Sequence, residues 1–258
     1  MLKLTTVALV ALMSLSPPQT QADEIAALKK EIEALKAQQA KMQRDLQTIV
    51  SLLQSLAQQK PAGPEVPGLV GSMIPLAGEP ALGSASAKVT VVEVSDYHCP
   101  FCRRNVKETF PQLDSEYVKT GKVRYVFVDY PIAQLHPNAF KSHEAAACAG
   151  EQNKYWEMHN ALFASAPISD PAGLTAQASK LGLDMTLFNA CFTSGRHAAA
   201  VQESIQRMEK LGIGGTPMTL IGFTPAAGAP MKVVSYVYGA VPFAQFKTAI
   251  DDALKQAQ

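Results

Sequence analysis

The sequence contains little cysteine, little tryptophan and almost no net charge. Among 258 residues there are four cysteines and one tryptophan, and 23 Lys and Arg residues are nearly balanced by 22 Asp and Glu residues. A chain with neither an excess of positive charge nor a basic stripe is not typical of nucleic-acid-binding proteins. We therefore expect no nucleic acid among the partners of this protein.

The sequence also lacks a hydrophobic run of about 20 residues, the length that spans a bilayer as a helix. The apolar run at residues 4–15 is too short; it follows Lys3 and precedes the small-residue sequence Thr20-Gln21-Ala22. This pattern predicts a secretory signal peptide over residues 1–22, with a retained anchor as the alternative. Removing this segment leaves basic and acidic residues equal in number, and export places the cysteines in an oxidising compartment.

Residues 99–102 form the C-x-x-C motif of the chain, Cys-Pro-Phe-Cys, and no second motif of this kind is present. A structural zinc site would need a second pair of cysteines or a close histidine pair. His98 is adjacent, but three ligands within five residues make a poor tetrahedral site. We therefore favour redox chemistry over a structural disulfide or a metal site at this motif.

The motif follows a predicted buried strand at residues 89–95 and opens a predicted helix at residues 103–118. Exposed N–H groups and the partial positive charge at a helix N-terminus favour a thiolate over a thiol. The thiolate is the attacking species in disulfide exchange. The sequence therefore predicts Cys99 as the nucleophile and Cys102 as the shielded resolving thiol.

Residues 23–59 are polar and contain neither glycine nor proline. Their a and d heptad positions are Ile25, Leu28, Ile32, Leu35, Gln39, Met42, Leu46, Ile49, Leu53 and Leu56. A heptad sustained over more than four repeats predicts a coiled-coil helix that joins parallel chains into a homo-oligomer, and Asp23 is a candidate N-cap. The a and d residues leave two strands or a higher state open; the alternative is an amphipathic helix lying on its own domain.

Residues 60–88 are rich in proline and glycine and predict a linker with a hinge in its first half. Residues 89–258 then read as one α/β domain. Its predicted order is strand, helix, strand, a helical insert at about residues 138–211, two strands and a closing helix. The later strands are expected at residues 123–128, 218–221 and 233–238, and the closing helix at residues 242–255.

Residues 95–102, Ser-Asp-Tyr-His-Cys-Pro-Phe-Cys, are followed more than one hundred residues later by Gly-Gly-Thr-Pro at residues 214–217. These two landmarks, with a helical insert between them, resemble the DsbA-like branch of the thioredoxin superfamily over about residues 76–256. The resemblance implies a thioredoxin-like α/β fold with a helical insertion. It also implies a bacterial, periplasmic thiol–disulfide oxidoreductase.

The resemblance assigns roles to individual residues. Pro217 corresponds to a cis-proline loop opposite the C-x-x-C motif, where the backbone of Thr216 pairs with a substrate strand. Glu93 corresponds to a buried acid that exchanges a proton with Cys102. A trans proline that starts a strand and a salt-bridged glutamate are the alternatives.

His98 and Phe101 flank the two sulfurs and are expected to contact substrate. Phe101 takes the position where strongly oxidising relatives carry histidine, so the resemblance implies a less oxidising potential. The cysteines of the insert, Cys148 and Cys191, have apolar neighbours. We expect them to form a structural disulfide, in preference to two free thiols, a resolving pair or metal ligands.

The sequence as a whole predicts an oligomeric disulfide isomerase or reductase that acts on protein disulfides. Several active sites around one axis could bind the same misfolded chain simultaneously. We expect a membrane redox partner and no cofactor beyond the redox-active pair Cys99 and Cys102. The alternatives are a dithiol oxidase, which donates disulfides, and a copper- or zinc-binding protein that uses His98 with the same two cysteines.

Overall fold

The computed structural model describes residues 20–58 and 65–257, so nearly all of the predicted signal peptide lies outside the described residues. The chain divides into two compact units, Met1–Gln59 and Lys60–Gln258. Within the described ranges, no helix combines the length and the apolar character needed to cross a membrane.

The described part of the first unit is a single helix, α1 (Gln21–Gln58). The N-cap prediction for Asp23 is wrong, because Asp23 lies inside the helix and its carboxylate accepts a hydrogen bond from the Thr20 hydroxyl. The long helix itself is confirmed, whereas its coiled-coil pairing stays a prediction. In the single chain the apolar heptad residues up to residue 49 are 49–63% exposed: Ile25, Leu28, Ile32, Leu35, Met42, Leu46 and Ile49. The side chains of Leu53 and Leu56 lie outside the described residues.

The second unit is built on a six-stranded sheet with the strand order β1-β6-β5-β3-β4-β2. The strands are β1 (Met73–Ile74), β2 (Ala81–Leu82), β3 (Val89–Ser95), β4 (Val123–Asp129), β5 (Met218–Phe223) and β6 (Met231–Tyr238). Strands β3 and β4 are parallel, and the other neighbouring pairs are antiparallel. The mixed α/β architecture predicted from the sequence, with a helical insert between the second and third predicted strands, is present in this topology.

The central strand β3 is buried along its whole length, because the sheet is covered on both faces. Alternate residues of a strand point to opposite faces. Val92 and Val94 therefore enter one apolar cluster, and Val89 and Val91 enter another. Glu93 shares the face of Val89 and Val91, and its register partners are Phe127 on β4 and Thr219 on β5.

The helical segment after β3 is less regular than predicted. It consists of α2 (Pro100–Arg104), a π-helical turn (Asn105–Thr109), α3 (Phe110–Leu113) and a second π-helical turn (Asp114–Val118). Pro111 has no N–H group and cannot make the usual bond to the carbonyl four residues earlier. The turn before it widens into the π form, in which the Phe110 N–H bonds the Asn105 carbonyl.

The insert between β4 and β5 contains five helices: α4 (Ala139–Gly150), α5 (Tyr155–Ala164), α6 (Pro171–Lys180), α7 (Met185–Ser194) and α8 (Ala198–Lys210). The chain closes with α9 (Phe243–Gln256). The core of the insert packs around Tyr97 and Phe127 beside the C-x-x-C motif. Cys148 on α4 and Cys191 on α7 are joined in a disulfide with an S–S distance of 1.98 Å.

Candidate functional site

Cys99 lies in the loop between β3 and α2 and occupies the N-cap position of α2. Its extended backbone (φ −71°, ψ 122°) places the residue just before the first helical turn, where Pro100 begins the helix. The two cysteines of the motif are free thiols. Cys99 is 4% exposed and Cys102, one turn further along, is fully buried.

The structure brings the second landmark against the first. The Thr216–Pro217 peptide bond is cis. The Cys99 Sγ atom lies 3.5 Å from the Thr216 carbonyl oxygen, to which the thiol donates a hydrogen bond across 117 residues of sequence. The preceding Gly215 approaches Tyr238 closely, because a Cβ atom there would lie 2.5 Å from the Tyr238 hydroxyl. A glycine at this position therefore lets the proline loop pack beside the motif.

The two cysteines have opposite acidities. A hydrogen bond from the Cys102 side chain, together with hydrogen bonds from the Thr216 side chain and from the backbone of Cys102 and Phe101, lowers the pKa of Cys99 to about 6 in spite of burial. Burial, followed by the interaction with Cys99, raises the pKa of Cys102 well above its ordinary value. At neutral pH the pair therefore holds one thiolate, on Cys99, and one thiol, on Cys102.

Glu93 is 1% exposed and lies below the motif on β3. Its carboxylate accepts hydrogen bonds from Tyr125 Oη at 2.6 Å, Ser95 Oγ at 2.9 Å and Asn105 Nδ2 at 3.0 Å. Burial raises the pKa of Glu93, and these three donors oppose the increase. The Ser95 side chain also lowers the pKa of Cys102, against the effect of burial, so the same residue influences both the resolving thiol and the carboxylate.

The two remaining predicted contact residues lie on either side of the sulfurs. Phe101 is 55% exposed, and the Arg104 guanidinium lies 5.4 Å from the centre of its ring. His98 is half-buried, and its Nε2 is 3.1 Å from the Ser142 hydroxyl of α4. Burial lowers the pKa of His98, which favours a neutral ring that is anchored to the insert. Phe101 is thus the more accessible of the two side chains.

The C-x-x-C motif and the proline loop both lie in a segment that matches a known protein family. A family model described as thioredoxin matches residues 76–232, which is more than half of the chain.

The chain belongs to the thioredoxin family.

Relatives of this thioredoxin-family chain include antiporters and disulfide-forming proteins. It is 32% identical over 152 residues to a Na(+)/H(+) antiporter NhaA 3 of Salinispora tropica, a match that covers 58% of this chain and 23% of the antiporter. It is 32% identical over 104 residues to disulfide bond formation protein D of Bacillus subtilis, covering 38% of this chain and 44% of that protein. The chain thus spans less than half of the length of these curated relatives.

Among solved structures, alpha-DsbA1 of Wolbachia pipientis superposes with a TM-score of 0.63 and 23% identity, over 71% of this chain and 94% of that chain. This similarity establishes the fold. Together with the family match, it confirms the resemblance of this thioredoxin-family chain to the DsbA-like branch.

The residues that surround Glu93 were not predicted from the sequence, although the spacing of two of them could have indicated their position. Ser95 follows Glu93 by two residues on a strand, so both side chains point to the same face. Asn105 follows Cys102 by three residues on a helix, so both share one side. Tyr125 carried no such signal, because its position depends on the pairing of β3 with β4.

Asp96 is a second missed residue, fully buried directly after β3. Its carboxylate accepts hydrogen bonds from the backbone N–H groups of His98 at 2.8 Å and Ile132 at 2.9 Å, and its Oδ2 lies 2.8 Å from Nδ1 of His136. These bonds connect the loop that carries Cys99 to the segment after β4. Asp96 therefore holds the approach to the motif in one conformation.

One group of side chains with metal-binding chemistry lies away from the C-x-x-C motif. Within residues 20–58 and 65–257, the cluster of three or more such ligand atoms is formed by Cys148, Cys191 and His197, whose atoms lie within 4.8 Å of one another. His98, Cys99 and Cys102 do not form such a cluster in this part of the chain. The predicted alternative ligand set at the motif is therefore not assembled in the dithiol form described here.

Proposed function

We propose that this protein is a thiol–disulfide oxidoreductase that acts on protein disulfides through Cys99 and Cys102. One observation carries the proposal. The sulfur with the lowered pKa occupies a helix N-cap and lies 3.5 Å from the carbonyl of Thr216, on the loop where a substrate backbone would pair. The similarity to disulfide bond formation protein D supports disulfides as the substrate bond.

The proposed reaction proceeds in two exchanges. The Cys99 thiolate attacks one sulfur of a substrate disulfide, the substrate S–S bond breaks, and the other substrate sulfur leaves as a thiolate. Cys102 then loses its proton and attacks Cys99 in the mixed disulfide, which releases the second substrate sulfur. The substrate gains two electrons, and the protein is left with a Cys99–Cys102 disulfide. Cys99 and Cys102 supply both electrons that the substrate gains, so the proposed reaction needs no further cofactor.

Glu93 is proposed to accept the proton of Cys102 in the second exchange. Burial raises the pKa of Glu93, which makes its carboxylate a stronger base and therefore a better proton acceptor. The Ser95 side chain, whose hydroxyl donates to Glu93 across 2.9 Å, influences both groups. When a thiol of the substrate itself attacks the mixed disulfide, Cys102 and Glu93 are not used, and the reaction is an isomerisation.

Helix α1 is the reason for proposing isomerase or reductase activity and not disulfide donation. Its exposed apolar heptad favours pairing with further copies of the chain, because water-exposed leucine and isoleucine side chains gain free energy on burial. Several sites on one axis raise the effective concentration of each site for a chain with several wrong disulfides. We therefore propose an oligomeric isomerase or reductase in the periplasm, kept reduced by a membrane redox partner.

The experiment compares the refolding of a scrambled disulfide protein by the full-length chain and by a variant that carries Ile32→Asp and Leu35→Asp. The seam variant should become monomeric and lose most isomerase activity. It should still reduce a small disulfide at an unchanged rate. The matched control, Ala34→Asp with Ala40→Asp, places the same charges outside the seam and should behave like the unchanged chain. Equal isomerase activity in all three proteins would contradict the role of α1.

The competing proposal is a dithiol oxidase, which runs the same exchange reactions in the opposite direction and donates its disulfide. It would be recognised by rapid disulfide donation to a reduced protein, a strongly oxidising reduction potential and no activity on the scrambled substrate. That result would overturn the isomerase proposal and leave the assignment of Cys99 and Cys102 intact.

A further inference from the structure

The disulfide of the insert lies beside a histidine. Cys148 belongs to α4 and Cys191 to α7, and His197 precedes α8. Gly195 ends α7 in the left-handed conformation (φ 62°), a backbone that glycine adopts readily, and the turn carries the chain back toward α4. A ring nitrogen of His197 and the two sulfurs therefore lie within 4.8 Å of one another. We call these three residues the insert cluster.

The histidine of the insert cluster is held by a carboxylate. Its Nε2 atom lies 2.8 Å from Oε1 of Glu151, and Arg196 donates its Nε–H to the same oxygen at 2.8 Å. A histidine that binds a metal through one nitrogen commonly bonds a carboxylate through the other.

The insert cluster also has an approach from solvent. Each cysteine is 1% exposed, but Glu151 and His197 line a cavity of about 770 Å³ between α4, α8 and the segment before β2. Asp129 and Glu203 line the same cavity and add negative charge, while the cation there, Arg207, is paired with Glu79. A wall of this sign attracts cations, and water in the cavity can supply a fourth ligand.

We propose that the insert cluster binds a thiophilic divalent cation, of which Zn²⁺ is the example, when the Cys148–Cys191 disulfide is reduced. The cysteines and His197 are the ligands, and Glu151 orients the histidine. This is a second site, separate from the Cys99–Cys102 motif and independent of the proposed oxidoreductase function. The disulfide form does not bind the cation, because neither sulfur is a thiolate.

The redox step is balanced by an external dithiol. One of its thiolates attacks the Cys148–Cys191 bond, its second thiol resolves the mixed disulfide, and the dithiol becomes a disulfide while two protons pass to the two protein sulfurs. The cation then displaces these two protons. Zinc prefers tetrahedral sets of thiolate and imidazole ligands, with water in the fourth position of an open site. The insert would thus take up metal under reducing conditions and release it on oxidation.

The test uses the full-length chain with Cys99→Ser and Cys102→Ser, so that the motif contributes no thiol. Zn²⁺ is titrated against a chromophoric chelator before and after reduction with dithiothreitol and its removal by desalting. Co²⁺ replaces Zn²⁺ in a parallel absorption measurement. We expect about one Zn²⁺ per chain in the reduced protein only, and the thiolate charge-transfer and tetrahedral bands of Co²⁺.

Two variants test the histidine ligand and the carboxylate that orients it. His197→Ala should weaken Zn²⁺ binding more than Glu151→Gln, and the latter should weaken it by about 10- to 100-fold. Glu157→Gln, an exposed glutamate of α5 outside the cluster, is the matched control and should change nothing. Equal binding by the reduced and disulfide forms, or unchanged binding in His197→Ala, would overturn the proposal.

Circular dichroism of the same samples shows whether the reduced protein is still folded and whether Zn²⁺ stabilises it. The reduced protein should retain its helix content, and Zn²⁺ should raise its melting temperature, because a ligand that binds only the folded state stabilises it. A reduced chain that loses the helices of the insert, or whose melting temperature Zn²⁺ leaves unchanged, would also overturn the proposal.

Discussion

Cys99 and Cys102 are one helical turn apart, and their surroundings give them different chemistry. Hydrogen bonds stabilise the thiolate of Cys99, whereas burial destabilises that of Cys102. A nucleophile with a pKa near or just below the ambient pH combines a high thiolate fraction with adequate intrinsic reactivity. The pair is therefore suited to attack at Cys99 and to delayed resolution at Cys102.

The first prediction concerns the pH dependence of Cys99. Because its pKa is lowered to about 6, the sulfur is protonated below that pH and ionised above it. The alkylation rate of the reduced protein by iodoacetamide should rise with pH around 6 and become constant above about pH 7, while Cys102 stays unmodified. A midpoint near the value of a free cysteine, about 8.5, would contradict this prediction.

The second prediction concerns Glu93 and its donors. Glu93→Gln removes the proposed proton acceptor, so the release of a trapped mixed disulfide by Cys102 should slow by about 100-fold at pH 7. Tyr125→Phe keeps the carboxylate but removes a donor that opposes the raised pKa of Glu93. Its resolution rate should therefore show a midpoint shifted to higher pH. Stopped-flow quenching and mass spectrometry measure both rates; unchanged rates and profiles would exclude a proton-transfer role.

At the residue scale, local sequence predicted the placement of Cys99, and distant packing decided the surroundings of Glu93. The C-x-x-C motif sits directly after a strand and before a helix, so its position needs no knowledge of the tertiary fold. The partners Asn105 and Tyr125 come from a helix and a neighbouring strand. Their contact with Glu93 depends on strand register and helix docking, which one sequence does not specify.

At the scale of elements, the disulfide between α4 and α7 joins two cysteines that are 43 residues apart in sequence. It closes a loop of the unfolded chain and lowers the entropy of that state. On the chain-entropy relation, a loop of this length corresponds to about 4 kcal/mol. The disulfide thus stabilises the insert that packs around Tyr97 beside the active-site motif.

The third prediction concerns the contribution of the Cys148–Cys191 disulfide to stability. Replacing Cys148 and Cys191 with alanine should lower the free energy of unfolding by about 4 kcal/mol, measured by urea denaturation of the oxidised protein. The variant with Cys99→Ser and Cys102→Ser keeps the disulfide and serves as the control. A double-alanine variant as stable as that control would show that the disulfide does not contribute to stability.

Element prediction succeeded where apolar periodicity was strong. Strand β3 has the predicted limits, and β5 and β6 extend two residues beyond theirs, at the end of β5 and the start of β6. The π-helical turns around Pro111 were not predicted, because the side-chain pattern there is still helical and only the backbone bonding changes. The two-residue edge strands β1 and β2 are too short for a periodic signal.

At the scale of the whole molecule, two compact units have different sequence characters. The first carries an exposed apolar heptad and no cysteine, and the second carries both cysteine pairs. The separation is consistent with assembly by one unit and chemistry by the other, as proposed above. The thioredoxin-family match is confined to the second unit.

The most direct test of the account asks which sulfur attacks a substrate. Full-length Cys102→Ala and Cys99→Ala are each mixed in reduced form with a protein that contains one accessible disulfide, and the adducts are located by non-reducing peptide mass spectrometry. We expect a stable mixed disulfide at Cys99 in Cys102→Ala, formed faster as the pH is raised through 6, and no adduct in Cys99→Ala. Adducts of equal yield in both variants, or none in Cys102→Ala, would contradict the assignment of Cys99 as the nucleophile.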